Sequence, residues 1–227
     1  MSGRPQPLAP GLALIFDMDG VLIHSNPVHR EAWAIFNRRY GLETTGEMHE
    51  FMYGKRNDAI LRGFFGDALD PAEVISRGAA KEALYREMVG ECLDDVLVPG
   101  IRQFLDDFAD APKAVATNAE PANVNFLLDR ARFRSYFQVV VDGHQVQEPK
   151  PHPEVYLRAS EILGVSPANC IVFEDSHSGV QSALAAGMRV IGLYTTHDNL
   201  PGIAMGVDNF LSGGLRTWLG RQSRVTS

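Results

Sequence analysis

Cysteine is scarce: the 227-residue chain holds only Cys92 and Cys170, with no CxxC spacing. That excludes a disulfide framework and a cysteine-ligated structural zinc, and both residues are expected as buried thiols. No run of about 18 apolar residues occurs, which is what a membrane helix requires. Met1 to Pro10 carries one arginine and three prolines but no apolar stretch of a secretion signal, so the cytoplasm is the expected compartment. No basic stripe interleaved with aromatics appears either, and the formal net charge is −7, which argues against a nucleic-acid partner. Internal repeats and low-complexity stretches are absent. What remains, 45% hydrophobic and 22% charged residues, is the composition of a globular protein able to bury a large core without staples. A monomer or weak homodimer is expected.

Short continuous apolar runs mark strands covered on both faces. They occur at Leu12 to Phe16, Lys113 to Ala116, Gln138 to Val141, Cys170 to Phe173, Arg189 to Leu193 and, as a sixth candidate, Asn209 to Leu211. Between them lie helical stripes such as Ile101, Phe104, Leu105 and Phe108, or Val124, Leu127, Leu128 and Ala131. Such alternation predicts an α/β fold, a doubly wound, mostly parallel sheet. Residues 26–92 break the pattern: Ala32, Trp33 and Phe36, then Ile60, Leu61, Phe64 and Phe65, fall at helical spacing with no convincing strand. The expected organisation is a Rossmann-like core of residues 11–25 and 93–220, an inserted α-helical cap of residues 26–92, and flexible tails at 1–10 and 221–227.

The chemistry-bearing residues fall at strand ends, where open α/β sheets bind ligands. Asp17-Met18-Asp19-Gly20 closes the first strand; alone it also reads as turn chemistry. Thr117-Asn118 ends the next, as a seat for an anion or as a helix N-cap. Lys150 follows the third, flanked by Pro149 and Pro151, where the alternative is a surface lysine. Glu174-Asp175 ends the fourth, ahead of Ser176 and Gly179. Four strands thus deliver carboxylates, hydrogen-bonding side chains and one lysine to one rim. Carboxylates so crowded repel one another unless a hard cation such as Mg²⁺ neutralises them, and that cation can receive a phosphate.

With these motifs the chain resembles the haloacid dehalogenase superfamily, whose phosphatase branch has a DxDG motif, a Ser/Thr, a Lys and a final acidic pair. FDMDGVLIHSNPVH, the helical insert after it and VFEDSHSGVQSALAAGM are similar to the branch holding β-phosphoglucomutase, phosphoglycolate phosphatase and sugar-phosphate phosphatases. The resemblance implies a Mg²⁺-dependent phosphatase acting on a small phosphorylated metabolite through an aspartyl-phosphate. It implies Asp17 as nucleophile and Asp19 as general acid and base, with a carboxyl pKa raised toward neutrality. The metal set is Asp17, the Asp19 backbone carbonyl, Asp175, and Glu174 as ligand or partner of a metal-bound water. Thr117, Asn118 and Lys150 hold the phosphoryl oxygens, and Gly20 joins the phosphate-binding candidates.

On the cap, His29 matches the mutase-branch histidine that couples cap closure to acid catalysis, and it equally reads as a structural histidine beside Ala32, Trp33 and Phe36. Trp33 is taken with it as a substrate-binding candidate. Lys55, Arg56 and Asn57 after Gly54 offer groups to a polar or anionic part of the substrate, or form a solvated charge cluster. Here the chain departs from the mutase pattern, which has arginine where Asn57 stands, and the departure favours hydrolysis over mutase chemistry. The alternative is a β-phosphoglucomutase or related phosphomutase. A dehalogenase needs no Mg²⁺ and lacks the second aspartate, and a non-enzymatic receiver lacks the helical insert.

Overall fold

The computed structural model describes residues 7–225; the outermost parts of the expected tails, 1–6 and 226–227, lie outside the described residues. Strands β1 (Ala13–Phe16), β2 (Lys113–Ala116), β3 (Val139–Val141), β4 (Cys170–Glu174), β5 (Arg189–Leu193) and β6 (Met205–Val207) form one parallel sheet in the order β3-β2-β1-β4-β5-β6. Alternate residues of β1 serve opposite faces, as the pleat requires. Leu12, Leu14 and Phe16 enter one apolar cluster, while Ala13 and Ile15 enter the other. Helices α5 (Ile101–Asp107), α6 (Pro121–Arg130) and α9 (Gly213–Gly220) cover the first face, and α7 (Glu154–Leu163) and α8 (His177–Ala185) the second. Because both faces are buried, the strands read as unbroken apolar runs.

Chain order reverses beside β1, which lies between β2 and β4. Phe16 is in register with Val115 on one side and Phe173 on the other, so Asp17 and Glu174 leave neighbouring strands at the same height. Open α/β sheets place their binding crevice at this reversal.

Residues 26–92 hold α1 (Asn26–Arg39), α2 (Gly46–Met52), α3 (Asn57–Phe65) and α4 (Pro71–Cys92). They carry a small core of their own, Trp33, Phe36, Met52, Ile60, Leu61 and Val74. The two connections to the sheet lie side by side: His24 N–H donates to the Val96 carbonyl (2.6 Å), Val98 N–H to the Leu22 carbonyl (3.1 Å), and Ile23 bridges Leu97.

Two sequence expectations need correction. The sixth strand is Met205–Val207 rather than Asn209 to Leu211. Asn209 turns its side chain back to accept from Leu211 N–H (2.9 Å), and Phe210 is a core side chain packed on Phe104. A three-residue strand containing a glycine and half-buried at its start gives too short an apolar run to stand out. The described parts of the tails lie on the core. Val225 exchanges two hydrogen bonds with Asn169, Gln222 accepts from Arg189 (2.8 Å), and Leu8 and Ala9 pack against the first apolar cluster. The second correction is that both cysteines are free, but only Cys170 is buried; Cys92 is half-buried where α4 ends.

The face around β1 is aromatic. Phe16 stacks on Phe173 (4.6 Å between ring centres), and Phe104 meets Phe173 edge-on at 5.3 Å. Phe104 is wholly buried. Phe104→Ala is therefore expected to cost about 3–5 kcal/mol in urea unfolding; a loss below about 1 kcal/mol would show that this face is not the core that carries the sheet.

Candidate active site

The four strand ends meet in one cleft beneath the helical layer. Lys150 is buried, which removes the surface-lysine alternative, and its Nζ donates to Asp17 Oδ1 (2.8 Å) and Glu174 Oε1 (2.7 Å). Glu174 is saturated. Its Oε1 also accepts from the Tyr156 hydroxyl (2.9 Å), and its Oε2 accepts from Asp175 N–H (2.8 Å), Ser176 N–H (2.9 Å) and the Ser176 hydroxyl (3.0 Å). Thr117 is buried at the end of β2, with its hydroxyl accepting from Ala119 N–H (3.2 Å). The N-cap position of the helix beyond is held by Glu120, whose side chain makes no capping hydrogen bond, and not by Thr117 or Asn118, so the helix-cap alternative fails. Asn118 instead donates to the Gly54 carbonyl of the cap (2.9 Å) and accepts from Lys150 N–H (3.2 Å).

Glycine is required at two places. Gly20 has φ +77°, and a Cβ there would overlap the Asp175 carboxylate. A Cβ at Gly179 would overlap Glu174. Both close approaches keep backbone against carboxylate.

The carboxylates are underneutralised. Asp17, Glu174 and Asp175 are buried and offer oxygens within 4.8 Å of one another. Burial, with the neighbouring charges of Glu174 and Asp19, outweighs Lys150 and pushes the Asp17 carboxyl up to about 7. Burial and the charges of Glu174 and Asp17 push Asp175 well above the usual carboxylate range. Glu174 also feels burial, but Lys150 and its other donors bring it below its ordinary value. One lysine cannot serve three carboxylates, and a hard divalent cation suits an all-oxygen donor set. The residues present therefore fit Mg²⁺.

Asp19 stands apart from this group. Its Oδ1 accepts from the Ser25 hydroxyl (2.5 Å) and faces His29 Nε2 at 3.5 Å. Burial alone would raise its pKa, but His29 and Ser25 outweigh burial and hold the carboxyl below its ordinary range. In this arrangement donors converge on the ionised form, the opposite direction to the raised carboxyl that the resemblance implies for the acid role.

His29 is not an isolated structural histidine. Lys81 Nζ, which can only donate, reaches its Nδ1 (3.1 Å), so Nε2 carries the proton toward Asp19; the ring stacks on Tyr85 at 3.6 Å. Lys81 also pairs with Glu82. Glu82 accepts from Asn57 Nδ2 (2.8 Å) on the cap and Asn123 Nδ2 (2.6 Å) on the core. The other cap candidates divide. Trp33 is buried and lines the cleft. Lys55 is exposed, with its ammonium over the Phe51 ring. Arg56 turns to the core and donates to the Gly143 and Val146 carbonyls, so it is a clip between layers rather than a solvated charge.

Sequence reasoning missed Ser25, Asn26, Lys81, Glu82, Tyr156 and Thr196. For Lys81 a signal existed: Val74, Gly78, Lys81, Tyr85 and Val89 fall on one helical face, and all are buried. Thr196 stands just past β5, a fifth strand end on the same rim.

The fold and this acidic rim define an α/β enzyme of phosphoryl transfer, and the comparisons agree. The family model for haloacid dehalogenase-like hydrolases matches residues 12–187, and the chain belongs to that family. It is 35% identical over 198 residues to the protein CbbY of Rhodobacter capsulatus, covering 79% of this chain and 83% of that one. It is 32% identical over 181 residues to the fructose-1-phosphate phosphatase YqaB of Escherichia coli K12, covering 78% and 94%. Its structure superposes on a β-phosphoglucomutase from Clostridium difficile with a TM-score of 0.80, at 25% identity, covering 92% of this chain and 96% of that one. The chain is an enzyme, a phosphoric monoester hydrolase or a phosphomutase. Among the described residues no helix is long and apolar enough to cross a membrane.

Glu82 ties cap to core electrostatically. Burial would raise its carboxyl, yet Lys81, His29 and the Asn123 amide push it down to about 2 from an ordinary 4.5. A depressed carboxylate contributes stability that is complete above its unfolded value and lost as pH falls through its folded one. Glu82→Gln should thus be less stable than the native chain at pH 7 by on the order of 3 kcal/mol in urea unfolding, with the gap shrinking between pH about 5 and about 2. An equal gap at pH 7 and pH 3 would contradict this assignment.

Proposed function

We propose that the protein is a Mg²⁺-dependent phosphatase of a small, singly phosphorylated sugar or related polyol, working through a phosphorylated Asp17. The cations of the cleft carry this reading. Lys150 belongs to Asp17 and Glu174, Lys81 to Glu82 and His29, and Arg56 to two carbonyls, while Lys55 sits exposed over Phe51. A mutase must grip a bisphosphorylated intermediate while shielding the phosphoenzyme from water. Among the described residues this cleft holds no disengaged, enclosed cation for a second phosphate. Its remaining lining, the apolar and aromatic Trp33, Tyr53, Met52 and Ile60 together with the polar Asn57, Asn123 and Glu82, suits a neutral body carrying hydroxyls. The phosphatase YqaB is named for such a substrate, fructose 1-phosphate.

In the first half-reaction an Asp17 oxygen forms a bond to phosphorus as the bond to the leaving oxygen breaks, and Asp19 gives that oxygen a proton. In the second, Asp19 takes a proton from water as the water oxygen attacks phosphorus, releasing phosphate and restoring Asp17. Thr117, the Asn118 backbone N–H and Lys150 hold the phosphoryl oxygens, and Lys150 draws charge from them. Glu174 fixes Lys150 in place. Asp17, Asp175 and the Asp19 backbone carbonyl would hold Mg²⁺, which when bound would offset the carboxylate charge that otherwise repels the phosphate. To serve as acid, Asp19 must first gain a proton, which its donors Ser25 and His29 oppose while they remain in place. Cap opening about the paired connections at residues 22–25 and 96–98 separates His29 from Asp19 and admits substrate.

The test is phosphate release from sugar phosphates, polyol phosphates and phosphoglycolate, with and without Mg²⁺, alongside β-glucose 1-phosphate with coupled detection of glucose 6-phosphate. Mg²⁺-dependent release is expected, abolished in Asp17→Asn and slowed about 10²- to 10⁴-fold in Asp19→Asn. Conversion of β-glucose 1-phosphate with little release would replace this reading by the mutase.

A further inference from the structure

Asp175 is held from outside the acidic group. Its Oδ2 accepts from the Thr196 hydroxyl and from Asn26 Nδ2 (3.3 Å), and Asn26 Nδ2 also donates to Thr196 Oγ1 (2.5 Å). The neighbouring Thr195 hydroxyl donates to the Gly20 carbonyl (2.6 Å), and His197 Nδ1 donates to the Asp175 carbonyl (3.1 Å). The segment after β5 therefore clamps both the Asp17–Gly20 loop and Asp175. Asn26 does something further. It is the first residue of α1, and its neighbour Ser25, which precedes the helix, holds Asp19. Adjacent residues at the joint between core and cap thus grip the two carboxylates of the separate tasks, Asp19 through Ser25 and Asp175 through Asn26.

We infer that Asn26 and Thr196 are positioning residues that orient Asp175 for the metal and couple metal binding to the seating of the cap. The inference rests on the metal role proposed above for Asp175. A carboxylate that must swing on binding loses affinity, whereas one with an oxygen already fixed by a hydroxyl and an amide presents the other oxygen in a set direction. Asn26 reaches Asp175 only when α1 starts where it does here, so opening the joint withdraws one of two donors. By linkage the effect is reciprocal: a bound cation that fixes Asp175 stabilises the seated joint, and a seated joint tightens the cation.

The test uses Mg²⁺ alone with the full chain. Binding is measured by calorimetry, and amide hydrogen exchange across residues 22–30 is followed with and without saturating Mg²⁺, for the native chain, Asn26→Ala, Thr196→Val and Thr196→Ser. Asn26→Ala and Thr196→Val are expected to bind Mg²⁺ about 10- to 100-fold more weakly, and Thr196→Ser to recover most of the loss. Mg²⁺ should slow exchange across residues 22–30 in the native chain and leave it unchanged in saturated Asn26→Ala. Native-like affinity in both Asn26→Ala and Thr196→Val, or no Mg²⁺ effect on exchange in the native chain, overturns the inference while leaving the metal site standing. Absence of Mg²⁺ binding to the native chain removes the metal reading itself, and this inference with it.

Discussion

Three buried carboxylates share one lysine, and most of the architecture around the cleft answers that imbalance. Asp17, Glu174 and Asp175 lie close enough to disfavour joint ionisation, and Lys150 spends its contacts on the first two. The surrounding chain is built to hold them there. Gly20 and Gly179 keep backbone against carboxylate where no side chain fits. Five hydrogen bonds saturate Glu174, so it anchors Lys150 and the start of α8. The parallel sheet supplies the geometry, because the reversal of strand order beside β1 brings the ends of β1, β2 and β4 to one rim.

The helical layer adds a second electrostatic system, linked to the first at Asp19. From Asp19 the chain of contacts runs through His29 and Lys81 to Glu82, and from there to Asn57 in the cap and Asn123 in the core. Arg56 and Asn118 add two clips between the layers. His29, a residue of the helical layer, also faces Asp19, so under the proposed mechanism access to the cleft and proton transfer at Asp19 would be governed together. Two cations that line the cleft from the cap, Lys81 and Arg56, are engaged in this closure, and that supports the proposed preference for a substrate without a second phosphate.

The core of the fold was legible because its strands are buried on both faces and so read as plain apolar runs: Lys113 to Ala116 and Arg189 to Leu193 coincide with β2 and β5. The acidic and lysine residues stood out because they interrupt those runs at the rim. What escaped has a common cause, namely polar residues whose roles depend on partners far along the chain. Thr196 and Asn26 are 170 residues apart, and no local pattern announces that they meet. Lys81 and Glu82 look like surface charges until the helical face they share with Val74, Tyr85 and Val89 is traced. From sequence Arg56 reads either as facing substrate or as part of a solvated charge cluster, but its partners are carbonyls about 90 residues later. The donors that converge on Asp19 are likewise illegible, because burial is guessable from a sequence whereas such partners are not. β6 was displaced to Asn209–Leu211 because Phe210 is a stronger apolar signal than Met205-Gly206-Val207, though it serves packing rather than pairing.

The central claim is that Asp17 itself becomes phosphorylated. The most direct measurement is to quench the enzyme with borohydride during turnover of its best phosphate ester in Mg²⁺ and to sequence its peptides by mass spectrometry. Reduction of an acyl phosphate should leave homoserine at position 17, only when substrate and Mg²⁺ are both present. Turnover at full rate with Asp17 unmodified, or reduction at another carboxylate, would contradict the account.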